Sequence, residues 1–237
     1  MSTFVLVHGA WHGGWCWHKI AARLEAMGHR VMAPDMPGHG TDRTPIEQVE
    51  FATITGRIAA VVAAAGEPVV LVGHSYGGAV ITQLGEMMPE KIRKLVYVTA
   101  LLLPNGRSAS DAVAGDTESA LGPEIVPAPD GLTATVRPDA LRPTFYAQCT
   151  DEDVALAGSL LVPEALAGFR TPVATSDARF GRIPRAYIEC LKDRAITPAK
   201  QKALYRAVPC QEVFSIDTDH SPFFSTPEAL TRILVNL

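Results

Sequence analysis

Gly73-His74-Ser75-Tyr76-Gly77 is the segment whose residue types and spacing point most directly to chemistry. A serine hydroxyl becomes a useful nucleophile when it is held exposed beside a base. The GxSxG pattern does this by placing the serine on a sharp, strained turn between a strand and a helix. Apolar Val69 to Val72 precedes the motif and a helical pattern follows it. Glycine is required two residues to either side, because side chains there would collide across so tight a turn. The N-terminus of the following helix also favours negative charge that develops beside it.

The base must lie on another loop at the same carboxyl edge of the sheet. Of the seven histidines, His220 fits best, because it follows the last apolar strand and precedes the final helix. His18 and His29 fall on or beside the first helix, and His74 lies inside the turn, directed away from Ser75. His12 and His39 sit in loops that approach the site. His8 and His12 are four apart but straddle a strand end and lack the glutamate of HExxH, which argues against metal binding. In a Ser, Asp, His chain order the acid follows a strand between Ser75 and His220. Asp193, three residues beyond Cys190, is the choice, with Asp217 and Asp219 as rivals; Asp219 adjoins His220, a poor arrangement for a side-chain hydrogen bond. The first loop, His8 to Trp15, places the Ala10 N–H after a strand, and with the Tyr76 N–H it makes a candidate oxyanion hole.

The elements that position these residues read as a βα series. Phe4 to Val7, Arg30 to Ala33, Val69 to Val72 and Lys94 to Thr99 are short apolar strands, separated by helical periodicity that stops near Gly28, Gly66 and Pro89. After Leu103 prolines crowd the chain, and only Val154 to Leu166 reads as firmly helical. The alternation resumes with Ile183 to Cys190, a helix opening at Thr197-Pro198, a strand from Gln211 to Ile216, and a last helix with Thr226 at N-cap and Pro227 at N1. Such alternation demands a parallel sheet covered by helices on both faces. The expected organisation is therefore an α/β core of residues 1–103 and 181–237, with 104–180 inserted as a cap.

The 237 residues are 47% hydrophobic and 19% charged with a net charge of −4, which excludes a disordered chain and gives no basic stripe for nucleic acid. The four cysteines lie far apart, without a CxxC pair or zinc-ligand spacing, and read as buried thiols. No signal-peptide pattern and no apolar run of membrane-spanning length occurs, so the expected location is the cytoplasm, away from membranes. Neither a Walker loop nor GxGxxG is present, and no cofactor or metal is expected.

Four stretches, HGAWHGGWCWHK, GHSYGG, CTDEDVALAGSLL and DTDHSPFFSTPEAL, together resemble the α/β-hydrolase branch of plant methylesterases, salicylate-binding esterases and hydroxynitrile lyases, with bacterial esterase relatives. The resemblance spans nearly the whole chain. It implies an α/β-hydrolase fold with a six-stranded parallel sheet and a mostly helical cap, no cofactor, Ser75, Asp193 and His220 as triad, and Ala10 and Tyr76 as oxyanion donors. The lyases carry a Lys after the catalytic His and a Thr in the first loop; here those places hold Ser221 and Ala10. The expected activity is thus hydrolysis of small to medium aryl or alkyl esters. Cyanohydrin cleavage, or another C–C or lactone-opening reaction on the same triad, is the alternative, and an intact triad argues against a receptor without turnover. Trp11, His12, Phe145, Tyr146, Leu160 and Leu161 are the expected substrate-binding residues. A small ester is the expected partner, and a homodimer is left open.

Overall fold

The computed structural model describes residues 1–237. Strands β1 (Thr3–Val7) and β3 (Val69–His74) are buried at every position, as central strands of a sheet covered on both faces must be. Strand β2 (Arg30–Met32) is partly exposed at the sheet edge, and β4 (Ile92–Val98) is buried from Leu95 onward. Helix α1 (His18–Ala26) buries Ile20 and Leu24, α2 (Phe51–Ala64) buries Ile54, Ile58 and Val62, and α3 (Gly77–Met87) is buried along most of its length. The chain leaves α1 and α2 through Gly28 and Gly66, both at left-handed φ (82° and 81°), where a side chain would be strained.

Between β4 and the next core strand lie α4 (Ala109–Ala114), β5 (Ile125–Pro127), β6 (Thr133–Val136), α5 (Leu141–Phe145), α6 (Asp151–Leu160), β7 (Glu164–Ala165) and α7 (Leu166–Arg170). Then follow β8 (Arg185–Cys190), α8 (Pro198–Ala207), β9 (Glu212–Ile216), α9 (Pro222–Ser225) and α10 (Pro227–Val235). The six core strands form one parallel sheet in the order β2-β1-β3-β4-β8-β9. Val5, Leu71 and Leu95 lie side by side across its centre, all unexposed. No helix is long and apolar enough to cross a membrane. The cysteines are all free thiols; Cys210 is only half-buried, unlike the other three.

The inserted segment is mostly helical, as expected, but β5, β6 and β7 also form an antiparallel sheet within it. β-Branched Thr133, Thr135 and Val136 suit that pleated surface. The helix read over Val154 to Leu166 stops at Leu160. Pro163 biases Val162 away from helical geometry, and the Val162 N–H donates instead to the Trp11 carbonyl at 3.0 Å, drawing the chain into β7. Thr226 does stand at the N-cap of α10, but its side chain makes no capping bond and its buried hydroxyl has no partner.

Leu71 occupies the middle of β3 with neighbours on both strands. Its truncation, Leu71→Ala, should cost about 2–5 kcal/mol of unfolding free energy in a urea titration. A loss well under about 1 kcal/mol would contradict the close packing at the sheet centre.

Candidate active site

Strand β3 ends at His74, Ser75 turns with φ 51°, and α3 begins two residues later. The turn has no spare room. A Cβ on Gly73 would stand 2.6 Å from the Gly77 carbonyl oxygen, and one on Gly77 would stand 2.7 Å from the carbonyl oxygens of both Val7 and His8. Gly9 is equally constrained, since its Cβ would come within 2.8 Å of the Ser75 Cβ. The first loop therefore passes directly against the serine. The Ser75 carbonyl accepts from the Gly78 and Leu101 N–H groups, each at 3.0 Å, which ties the turn to the helix and to the chain leaving β4.

His220, 2% exposed, lies in the loop between β9 and α9, and its Nδ1–H donates to Asp193 Oδ2 at 2.7 Å. Asp193 follows β8 and is fixed by four donors. Its Oδ1 accepts from the Ala195 and Ile196 N–H groups at 2.7 and 2.9 Å, and its Oδ2 accepts from the Thr99 hydroxyl as well as from His220. The rival carboxylates do other work. Asp217 pairs with Lys192 in solvent, whereas Asp219 accepts from the Gln148 and Ser221 N–H groups and braces the loop that carries His220.

The other buried histidines hold backbone. His74 donates from Nε2 to the His220 carbonyl at 2.8 Å, and the two rings lie 4.6 Å apart, so the serine turn and the base loop are joined at their bases. His12 donates from Nδ1 to the Ala10 carbonyl and accepts the Tyr146 hydroxyl at Nε2, both at 2.7 Å. His8 donates to the Gly9 carbonyl and accepts the Met36 N–H. Burial pushes His12 down to about 4 and lowers His8 and His74 well below the ordinary imidazole value, with the neighbouring imidazoles adding to the effect. All three are neutral at neutral pH. His39 differs: burial opposes its charge, but Glu164, 2.9 Å from Nε2, outweighs burial and raises it.

Ser75 opens into a cavity of about 520 Å³ whose wall is largely apolar. Ala10 and Tyr76 line it beside the serine, and their backbone N–H groups donate to no other protein group. Tyr76 stacks on Phe169 at 4.2 Å. Ala112, Val113, Leu121, Ile125, Leu166 and Phe169 supply the cap side of the wall.

Of the expected substrate contacts, Trp11 lines this cavity, and the structure corrects the rest. Phe145 is buried behind the site, 5.5 Å from the His220 ring, and Tyr146 is buried with its hydroxyl committed to His12. His12 likewise sits behind the loop. Leu160 is 38% exposed, and Leu161 lines a separate surface depression with Leu141 and Val154. The cavity wall is supplied instead by residues of β7 and α7, Glu164, Leu166 and Phe169 among them. Thr99, Glu164 and Phe169 are the residues that sequence reasoning missed. Glu164 did carry a signal, as a lone acid within Leu160-Leu161-Val162-Pro163-Glu164-Ala165-Leu166. No cluster of His, Cys, Asp and Glu side chains is arranged to hold a metal ion.

A family model described as "Alpha/beta hydrolase family" matches residues 4–233. The chain belongs to that family. "Methylesterase 1" of Arabidopsis thaliana is 34% identical over 253 residues, covering 99% of this chain and 95% of the relative. "Putative methylesterase 11, chloroplastic", from the same plant, is 33% identical over 250 residues, and the match takes in the whole of this chain but 64% of the relative. The chain thus spans less than two thirds of the length of some of the methylesterases it matches. Among solved structures, a pyrethroid hydrolase from Sphingobium faniae JZ-2 superposes with a TM-score of 0.90 at 30% identity, covering 99% of this chain and 96% of that one. The hydrolase fold and the branch read from the four sequence stretches are those of these relatives.

The neutral histidines set a pH dependence. Between pH 6.5 and about 4 the unfolded chain protonates His12 while the folded chain does not, so the unfolded state binds more protons and stability falls as pH falls. His8 and His74 act in the same direction; the raised His39 acts oppositely, its contribution being full at low pH and lost as pH rises. The urea midpoint should therefore drop between pH 7.5 and 4.5, and His12→Gln should remove about 2–3 kcal/mol of that dependence. A midpoint that stays flat or rises on acidification would contradict neutral histidines around the site.

Proposed function

We propose that this hydrolase cleaves carboxylic esters through an acyl-enzyme formed on Ser75. The observation that carries the reading is the buried His220–Asp193 hydrogen bond of 2.7 Å, set in the loop that His74 ties to the serine turn. Ser75 Oγ attacks the ester carbonyl carbon while His220 Nε2 takes its proton. Asp193 holds Nδ1–H and stabilises the imidazolium that forms. The carbonyl oxygen becomes an oxyanion facing the Ala10 and Tyr76 N–H groups. Collapse of this tetrahedral species breaks the bond to the alcohol, which leaves with the proton from His220. Water then repeats the attack on the acyl-serine, giving up its proton to His220, and the acid departs as Ser75 recovers its own.

The largely apolar cavity supports an ester with an apolar acyl or alcohol part of small to medium size. Relatives named as methylesterases and as a pyrethroid hydrolase fit that class without choosing within it. Cyanohydrin cleavage is the weaker reading. Ser221 follows His220, so no ammonium stands there to accompany a leaving cyanide, and its hydroxyl is buried without a partner.

Ser75→Ala should lower hydrolysis of a chromogenic short-chain ester by roughly 10⁴-fold or more and abolish labelling by a fluorophosphonate probe. Unchanged turnover in the folded variant would end the acyl-enzyme reading. Asp193→Asn should cost about 10⁴-fold at neutral pH with little change in melting temperature, because the wrong imidazole tautomer is then held in the right place. Asp217→Asn should lose far less; the reverse order would reassign the acid. Wild type should hydrolyse small esters faster than it releases cyanide from an aromatic cyanohydrin by orders of magnitude, a ranking that paired assays check directly.

A further inference from the structure

Trp11, one residue beyond Ala10, has φ 63°, a left-handed conformation that is costly for a large side chain. Three hydrogen bonds hold it there. Its N–H donates to Glu164 Oε2 at 2.9 Å, its indole Nε1–H donates to the Ala134 carbonyl at 2.9 Å, and its carbonyl accepts from the Val162 N–H at 3.0 Å. All three partners belong to the segment between β4 and β8. Only Glu164 carries charge, and it is wholly buried.

A carboxylate in such a place needs a counter-charge. His39 supplies it. Its Nδ1–H donates to the Pro37 carbonyl at 2.9 Å, so Nε2, 2.9 Å from Glu164 Oε2, faces the acid as a donor when the ring is protonated. The His39 ring also lies 5.1 Å from that of His8, which in turn holds the Gly9 carbonyl. The buried Glu164–His39 pair therefore braces the first loop on either side of Ala10, through Trp11 directly and through His8 by packing. Without the Glu164 acceptor the Trp11 N–H, the tie nearest Ala10, would lose its partner, and the strained turn would keep only the bonds to Ala134 and Val162.

We propose that Glu164, held by His39, is a positioning residue for ester hydrolysis, locking Trp11 in its left-handed turn and thereby directing the preceding Ala10 N–H at the oxyanion. The assignment rests on the reading of Ser75 as nucleophile. Glu164 also lines the cavity, with Oε1 unpartnered, but the role assigned to it acts through Trp11 and Ala10 and not through contact with the reacting atoms. Its effect belongs to the transition state, where the carbonyl oxygen carries charge, and not to the ground state, where it does not.

The test uses the whole chain and three variants. Glu164→Leu removes the acceptor but strands His39. The double variant Glu164→Leu/His39→Leu removes the acceptor without leaving a buried charge unpaired. Glu164→Gln keeps an oxygen for the Trp11 N–H. Each is assayed on a chromogenic short-chain ester. Each is also titrated with a trifluoromethyl ketone, whose adduct with a serine carries an oxyanion, and with the carboxylic acid product as ground-state ligand. In the double variant kcat should fall roughly tenfold to a hundredfold, with KM and product affinity changed by no more than about threefold. Trifluoromethyl ketone inhibition should weaken by the same factor as kcat. Glu164→Gln should lose least of the three. A folded double variant with wild-type kcat and inhibition overturns the proposal, as does a loss shared equally by kcat and product binding, or a Glu164→Gln variant as impaired as the double. Ester turnover that survives Ser75→Ala would instead overturn the acyl-enzyme reading beneath it.

Discussion

A serine forced into left-handed backbone geometry with glycine on both sides is the constraint around which this molecule is arranged. Gly73 and Gly77 are not flexible linkers; a methyl group on either would meet a carbonyl oxygen well inside contact distance. That closeness requires β1 to end immediately beside α3, so that Val7 and His8 can pack against the first turn of the helix. It also fixes which N–H groups face the cavity. Tyr76 follows the turn and Ala10 sits in the loop pressed against it, so both line the cavity beside the serine. The six-stranded sheet supplies the rigidity that holds so strained a turn in place.

Charge around the site is managed by subtraction. Four buried histidines other than His220 lie close to it in the first two loops and the serine turn, and three of them are kept neutral by burial and by one another. Each then uses one nitrogen to donate to a backbone carbonyl, His8 to Gly9, His12 to Ala10 and His74 to His220. Neutral imidazoles serve as rigid polar spacers in a place where a lysine would bring a permanent charge. In the proposed mechanism, an imidazolium formed on His220 would have Asp193 as its counter-charge, with no competing cation among these three rings. His39, whose basicity is raised, is set against Glu164, so a proton that it takes up is matched by a carboxylate.

The sheet and the pairing of Asp193 with His220 were legible because the strands that carry them follow short-range patterns. Val69 to Val72 reads as a buried strand by its apolar run, and Asp193 was reached by counting strands, which works when βα units alternate without interruption. The inserted segment defeated the same methods for a physical reason. Its strands are two to four residues long, its helices are mostly single turns, and its fold is decided by contacts with the core more than by local periodicity. The Val162 N–H illustrates this: it leaves a helical pattern to meet the Trp11 carbonyl, 151 positions earlier in the chain. Phe145 and Tyr146 were correctly sensed as important aromatics but given the wrong task. They pack behind the base and the first loop, whereas Phe169, in a stretch with little periodicity, reaches the cavity.

The bonds from Trp11 to Ala134, Val162 and Glu164 carry a lesson about modularity. The inserted segment looks like a part that evolution or an engineer could exchange to change substrate range, since its ends leave and re-enter the core at neighbouring strands β4 and β8. The clamp on Trp11 makes that exchange unequal along its length. The stretch around α4 lines the cavity without a hydrogen bond to the first loop, and so could be exchanged without disturbing Trp11. The stretch from β6 to β7 is a structural partner of the first loop. A transplant that replaced it without Trp11 and His39 would carry over a wall while discarding the scaffold that shapes the floor.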